Sequence, residues 1–359
     1  MKVIILLQGR FPTEKAYGVT TTGTIKSLLR LGCQVTVFSL GTDYEELDFK
    51  DNNFMLKHYV ETKLSTRAKL LAFSGLGLIN KISWRAFWKL TYRHNKLAIL
   101  AERGDVFWIR DFGMLDFVPK KRPIIFELHG LLNIIKIIKL RCEVRDRIAV
   151  LAPISKSIED RLSILRSSRE IVRAPMGIEN EFLESKEGIQ EFKERIELLR
   201  SFNFKGLKIG YIGKFSPNGY SKGIEDLFEL SKLNLKAQAK YVISITGGTD
   251  RELTTATHKL LEYGLTESDI KISGHISHRA VFGKMKELDV LVLPMPASKR
   301  YVGFPLKCIE SIASGRIVIA ARCQIYEDIL NENDEKIFCL GIRLAHRVDG
   351  VKHLHLLAG

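Results

Sequence analysis

An α/β chain of two doubly wound, Rossmann-like domains is what the sequence predicts, and three observations predict it. Short β-branched apolar runs alternate with amphipathic stretches, the pattern of parallel strands joined by crossover helices. The alternation runs twice, with a charged stretch around 181–200 between the two series. At 359 residues the chain also exceeds one comfortable core and suits two domains of ordinary size.

The first series opens with residues 3–7, an apolar run too short for a signal peptide or a membrane span, which reads as a buried parallel strand. A glycine-bearing loop from Gly9 to Gly23, a helix near 20–31 and a strand over 34–38 follow. Further strands are expected at 106–109, 124–127 and 148–151. The second series places strands at 208–212, 241–245, 270–272, 290–293 and 317–320. These periods set domains at 1–180 and 205–335, with an atypical tail at 340–359. Open parallel sheets bind ligands at the carboxyl ends of their strands, so two such units facing one another suggest a cleft between them.

Composition narrows the function. Hydrophobic residues make up 45% and charged residues 27%, as in a folded globular protein. The net charge of +15 attracts polyanions such as phosphorylated substrates or an anionic bilayer surface. Nucleic acid is not expected, because aromatic residues are not interleaved with Lys and Arg in any nucleic-acid signature. Five dispersed cysteines, without a Cys-x-x-Cys pair, favour free thiols in a reducing cytoplasm over disulfides or zinc. Two basic segments could lie on a membrane surface or pack as ordinary amphipathic helices: residues 64–98, with Trp84, Phe87, Trp88 and Tyr92, and residues 131–141.

The strongest chemical signal runs from Gly303 to Ala320. It reads as a loop, a helix starting near Pro305, a C-capping Gly315 and a buried strand. The first helical turn, around Phe304, Pro305 and Leu306, points free N–H groups outward where phosphate oxygens can be held, Pro305 itself having none. Glu310 lies about one and a half turns in, where a carboxylate can accept two hydroxyl hydrogen bonds of a ribose. Lys214 and Lys222, beside Gly213 and Gly223, form a cationic pair able to close on phosphates.

The stretch Pro305-Leu306-Lys307, then Glu310, Ala313, Gly315 and Ala320, resembles the donor-site signature of the retaining GT-B glycosyltransferases of family 4 (glycosyl transferases group 1). The resemblance covers residues 1 to about 330 and extends to several other blocks. Residues 208–215 with Ser221-Lys222-Gly223 are similar to the family's phosphate-binding element, which assigns Lys214 and Lys222 to the nucleotide diphosphate. Lys at 214 replaces the commoner Arg, keeping charge but losing the planar fork. Gly247 falls in the family's strand-to-glycine turn, and Ile276 in the segment that lines the nucleobase pocket through backbone groups. Gly18, placed in the long first loop, resembles the glycine that faces donor phosphates and acceptor. His129, ending the strand Phe126-Glu127-Leu128, resembles the family's histidine near the reacting sugar, and is the candidate catalytic residue.

The resemblance implies a retaining, metal-independent, hexosyltransferase-type enzyme with no cofactor beyond its nucleotide-sugar donor, UDP- or GDP-linked. The implied acceptor is lipid-linked or polysaccharide, as in polysaccharide and lipopolysaccharide biosynthesis. The implied location is cytoplasmic, peripheral at the inner face of the plasma membrane.

Two departures stand out. The position eight residues before Glu310, where many relatives carry a second Glu, is Val302. The ending, residues 341–359, matches nothing in the family and reads as a truncation that removes the last helices. Both motivate the alternative of a degenerate nucleotide-sugar-binding protein without transferase activity. An epimerase of the same architecture lacks the acid and base carboxylates that elimination needs.

Overall fold

The computed structural model describes residues 1–13, 16–41, 50–61, 63–72, 77–130, 133, 135–138, 140, 148–162, 170–178, 193–194, 197, 206–216, 221–237, 241–294, 304–321, 326 and 329. Two units divide the chain: Met1–Gly177, with which Val302–Phe304 groups, and Ile178–Tyr301 with Pro305–Gly359. The tail at 340–359 and the truncation read there lie outside the described residues, as do Val302 and most of the linker region.

In the first unit the strands are β1 (Lys2–Leu6), β2 (Gln34–Ser39), β3 (Phe54–His58), β4 (Val106–Ile109), β5 (Ile124–Leu128), β6 (Ile148–Pro153) and β7 (Glu170–Ile171). Among the described residues they form one parallel sheet in the order β3-β2-β1-β4-β5-β6-β7. Helices α1 (Ala16–Arg30), α2 (Lys63–Ala72), α3 (Gly77–Ala101) and α4 (Lys156–Leu162) accompany it. The first strand explains why the opening run is apolar without alternation. Val3, Ile5 and Leu7 pack with Ile25, Val35 and Val37, whereas Ile4 and Leu6 pack into a second core with Tyr92, Ile99 and Phe107. A strand covered on both faces needs apolar residues at every position.

The second unit contains β8 (Lys208–Ile212), α5 (Glu225–Ala237), β9 (Val242–Thr246), α6 (Asp250–Glu262), β10 (Lys271–Ser273), α7 (His278–Lys286), β11 (Val290–Leu293), α8 (Leu306–Ala313) and β12 (Ile317–Ala320). Its sheet is parallel, in the order β10-β9-β8-β11-β12. Each sheet reverses its winding beside its first strand, at β1/β4 and at β8/β11. Such reversals open crevices at the carboxyl ends of the strands.

Three local expectations change. Helix α1 starts at Ala16 rather than near 20, so Gly18 is helical and not part of a loop. The edge strand β3 is an addition, because its half-exposed sequence, Phe54 to His58, carries no β-branched run. Of the aromatic residues in the 64–98 segment, Phe87 and Tyr92 are buried, and Trp88 stacks on Tyr92 with ring centroids 5.0 Å apart. Those rings serve the core of the first unit, while Lys89, Arg93 and Lys96 are exposed.

Candidate functional site

In the second unit the segment predicted to bind phosphate follows the carboxyl end of β8. Gly213 donates its N–H to the Thr246 carbonyl at 2.9 Å, joining the turns after β8 and β9. Gly247 lies against that junction with φ +123°, and a Cβ there would come 2.1 Å from the Gly213 carbonyl oxygen. Only glycine allows so close a backbone approach. Its N–H donates to the carbonyls of Ser273 and Gly274, at 3.0 and 3.2 Å, which ties in the turn after β10.

Lys214 is exposed, and its carbonyl accepts the Tyr211 hydroxyl at 2.6 Å. Lys222 folds back beside it through its N–H to the Phe215 carbonyl at 2.8 Å. Glu252 stiffens the same loop. Its carboxylate takes the N–H and hydroxyl of Ser216, at 2.7 and 2.6 Å, while completing a capping box with Thr249 at the start of α6. Burial alone would raise the pKa of Glu252, and these donors bring it below the usual carboxylate range. A cavity of about 560 Å³ opens here, lined by Lys214, Ser216, Ser221, Arg251, Glu252 and Lys259. Gly247 and Glu310 are not among its lining residues.

Helix α8 carries the other predicted group. Pro305 precedes its first turn as N-cap, without a side-chain cap, and Leu306 opens it. Phe304, which groups with the first unit, is partly buried against that unit's core. Glu310 is buried, with its side chain 2% exposed. Lys307 Nζ donates to its Oε2 at 2.6 Å, and His278 Nε2, at the start of α7, stands 3.4 Å from its Oε1. Burial pushes the Glu310 pKa up, but the His278 hydrogen bond and the Lys307 charge outweigh it and hold the group ionised. Ile276 is partly buried, its side chain packed against the cluster of Val281, Met285 and Leu288.

In the first unit, Gly18 is buried in α1, where a Cβ would lie 2.2 Å from the Thr13 carbonyl oxygen. Close packing of the chain on itself therefore already demands glycine there. His129 follows β5 and is bonded through Nε2 to Glu127 Oε1 at 2.7 Å. Glu127 pairs in turn with Arg110, Nη2 to Oε1 at 3.1 Å, and both side chains are 7% exposed. Burial would raise the Glu127 pKa, but the hydrogen bond from His129 and the Arg110 charge bring it down to about 2.

Arg110, Trp108, His278 and the threonines of α1 are additions to the residues that the sequence singles out. Arg110 carries a usable signal, a cation directly after a buried strand of a parallel sheet. His278 carries none.

The fold defines a class first. Two parallel, doubly wound units in one chain are the GT-B architecture, and solved structures of that kind match almost the whole chain. The Anabaena protein HepE, in complex with UDP and glucose, aligns with a TM-score of 0.58 at 14% identity, over 90% of this chain and 82% of that one. The catalytic domain of starch synthase IV from Arabidopsis thaliana, bound to ADP and acarbose, gives 0.62 at 12% over 95% and 88%. WaaG, a glycosyltransferase involved in lipopolysaccharide biosynthesis, gives 0.56 at 12% over 90% and 82%. More particularly, residues 206–346 match the family model described as glycosyl transferases group 1, and this segment carries Lys214, Lys222, Gly247, Ile276 and Glu310. No curated protein matches the sequence.

Among the described residues no His, Cys, Asp or Glu cluster is arranged to hold a metal ion, and no helix is long and apolar enough to cross a membrane.

Proposed function

We propose that the protein is a glycosyltransferase of family 4 that moves a hexose from a UDP- or GDP-linked donor to a hydroxyl acceptor. The anomeric configuration is retained and no metal ion takes part. The observation that carries this reading is Glu310. It is an ionised carboxylate, buried at the second turn of α8, within a segment that matches the group 1 glycosyl transferases. A carboxylate already charged in the folded protein accepts ribose hydroxyls without the cost of deprotonation.

The remaining roles follow. Lys214 and Lys222 neutralise the diphosphate as the glycosidic bond breaks, the task a metal ion has in other transferases. Gly247 and Ile276 offer backbone groups to the nucleotide, and Phe304, Pro305 and Leu306 border the phosphates at the start of α8. Gly18 lets the backbone of α1 approach the donor. His129 hydrogen-bonds a hydroxyl of the reacting sugar.

The acceptor is lipid-linked or polysaccharide. On α3, exposed Ile82 and Leu97 accompany Lys89, Arg93 and Lys96, and Ile135 and Ile138 flank Lys136. These surfaces suit peripheral attachment to an anionic membrane on its cytoplasmic face.

Purified protein incubated with UDP- and GDP-hexoses and lipid extracts tests the reading. Release of nucleoside diphosphate that requires an acceptor is expected. Nucleotide binding without turnover against any donor would favour the degenerate binding protein instead.

A further inference from the structure

Apart from His129, the side chains that meet the carboxylate of Glu127 can only donate. Its Oε2 accepts Trp108 Nε1–H at 2.7 Å and Arg110 Nε–H at 3.2 Å. Its Oε1 lies 3.1 Å from Arg110 Nη2 and 2.7 Å from His129 Nε2. Arg110 has no freedom to turn away. Its Nη1 donates to the Tyr17 carbonyl at 3.0 Å and to the hydroxyls of Thr20 and Thr21 at 3.1 and 2.5 Å, and Nη2 reaches Thr24 at 3.3 Å. Those hydroxyls already direct their hydrogens to α1 carbonyls, Thr20 and Thr21 to Tyr17 and Thr24 to Thr20. They therefore show Arg110 only lone pairs. Indole and guanidinium N–H groups never accept.

We infer that this array fixes the tautomer of His129. Nε2 carries its hydrogen toward Glu127, and Nδ1 keeps the lone pair that accepts a hydrogen bond from a sugar hydroxyl. Arg110, Trp108 and Glu127 are positioning residues that act through His129. The inference rests on the proposed role of His129 at the reacting sugar. A further charged group, Asp111 after β4, faces this histidine, and Asp111 is itself reached by Arg110 and Lys136. Because α1 supplies the acceptors for Arg110, the helix that contains Gly18 and the strand end that carries His129 are joined through one guanidinium.

Glu127→Gln tests the idea. The side of the new amide that faces Trp108 is expected to be its oxygen, since two groups that only donate, Trp108 Nε1 and Arg110 Nε, meet it there against one, Arg110 Nη2, on the other side. The amide NH2 then faces His129, whose Nε2 has to accept, and the ring carries its hydrogen on Nδ1 instead. Nitrogen-15 NMR of histidine-labelled protein, with His129→Asn to assign the resonance, reads this directly. The wild type is expected in the Nε2–H form and Glu127→Gln in the Nδ1–H form. The variant's kcat is expected to fall about 10³-fold, as wrong-tautomer variants of catalytic histidines do, with the donor KM changed less than about 3-fold. Adding Trp108→Phe releases one constraint on the amide, so the double variant recovers part of both the Nε2–H signal and the rate.

An Nδ1–H tautomer in the wild type, or one that Glu127→Gln leaves unchanged, overturns the inference. So does a tautomer switch with no change in kcat. The NMR result needs no turnover, so it stands apart from whether the protein transfers sugar at all. If Glu127→Gln does not fold, the wild-type spectrum and Trp108→Phe alone decide: loss of one donor to Oε2 should leave the Nε2–H form in place.

Discussion

Lys307 Nζ stands 2.6 Å from Glu310 Oε2, one turn away on α8, so the carboxylate proposed for the ribose already carries a cation. A buried carboxylate without such partners would take up a proton, and with them it stays charged. It has lone pairs enough for Lys307, His278 and two ribose hydroxyls together. Glu310→Ala is accordingly expected to weaken UDP or GDP binding about 10²-fold, the worth of two hydrogen bonds to a charged group at about 1.5 kcal/mol each. Calorimetric titration measures it. Unchanged affinity would mean that Glu310 serves only to hold α8 to α7.

Lys214 and Lys222 act on the leaving diphosphate in this reading, so their removal should be felt in the transition state more than in ground-state binding. Lys214→Ala is expected to lower kcat/KM for the donor about 10²-fold, mostly through kcat. Lys214→Arg should keep most of the rate, since charge is preserved and the exposed side chain has room for the larger fork. Initial rates at two ionic strengths check both. A fall confined to KM would remove Lys214 from the chemistry and leave it a role in capture.

Parts of this site were legible in the sequence because they lie close together along the chain. Pro305, Lys307, Glu310 and Gly315 are a local helix with its two ends, and a linear pattern contains all of it. The central strands of both sheets could be read because two-sided burial leaves uninterrupted apolar runs, as in β1, whereas the edge strands β3 and β7 could not. The network around Glu127 could not be read. It joins Thr20, Thr21 and Thr24 on α1 to Arg110 after β4 and His129 after β5, and Thr20 and Arg110 alone are 90 positions apart. Nothing local marks such a meeting except the run of threonines at 20, 21, 22 and 24, whose significance depends on which strand end the helix faces. His278 was invisible for the same reason: its partner lies 32 residues away on another helix. The reading of α1 as starting near 20 cost Gly18 its correct setting, since Ala16 and Tyr17 already belong to the helix.

Gly247→Ala tests whether the turns after β8 and β9 are held as closely as the geometry requires. The substitution combines a φ of +123° with a Cβ placed 2.1 Å from the Gly213 carbonyl oxygen, so the backbone must move. A destabilisation of about 2 to 4 kcal/mol is expected, above the usual penalty for Ala at positive φ because the clash is with main chain. Thermal unfolding would show it as a lower midpoint, with nucleotide affinity falling too as the loop carrying Lys214 shifts. A midpoint indistinguishable from the wild type would mean that the junction is looser than described.

The ion pair of the first unit makes a claim about pH. Glu127 has a folded pKa of about 2 against an ordinary value of 4.5, so its ionised form is favoured by folding. A depressed carboxylate contributes stability that is fully present above the unfolded pKa and is lost as pH falls through the folded one. The contribution should thus be complete above about pH 5 and gone near pH 2. Glu127→Gln leaves Arg110 buried with a neutral partner and is expected to cost about 3 kcal/mol at neutral pH. The gap to the wild type should narrow steadily between pH 4.5 and about pH 2, as the wild-type carboxyl is protonated in turn. All three tryptophans, at 84, 88 and 108, lie in the first unit, so urea unfolding followed by their fluorescence reports on that unit alone. A gap that stays constant across that range would assign the cost of the variant to packing, and the charge of Glu127 would then have no part in holding Arg110.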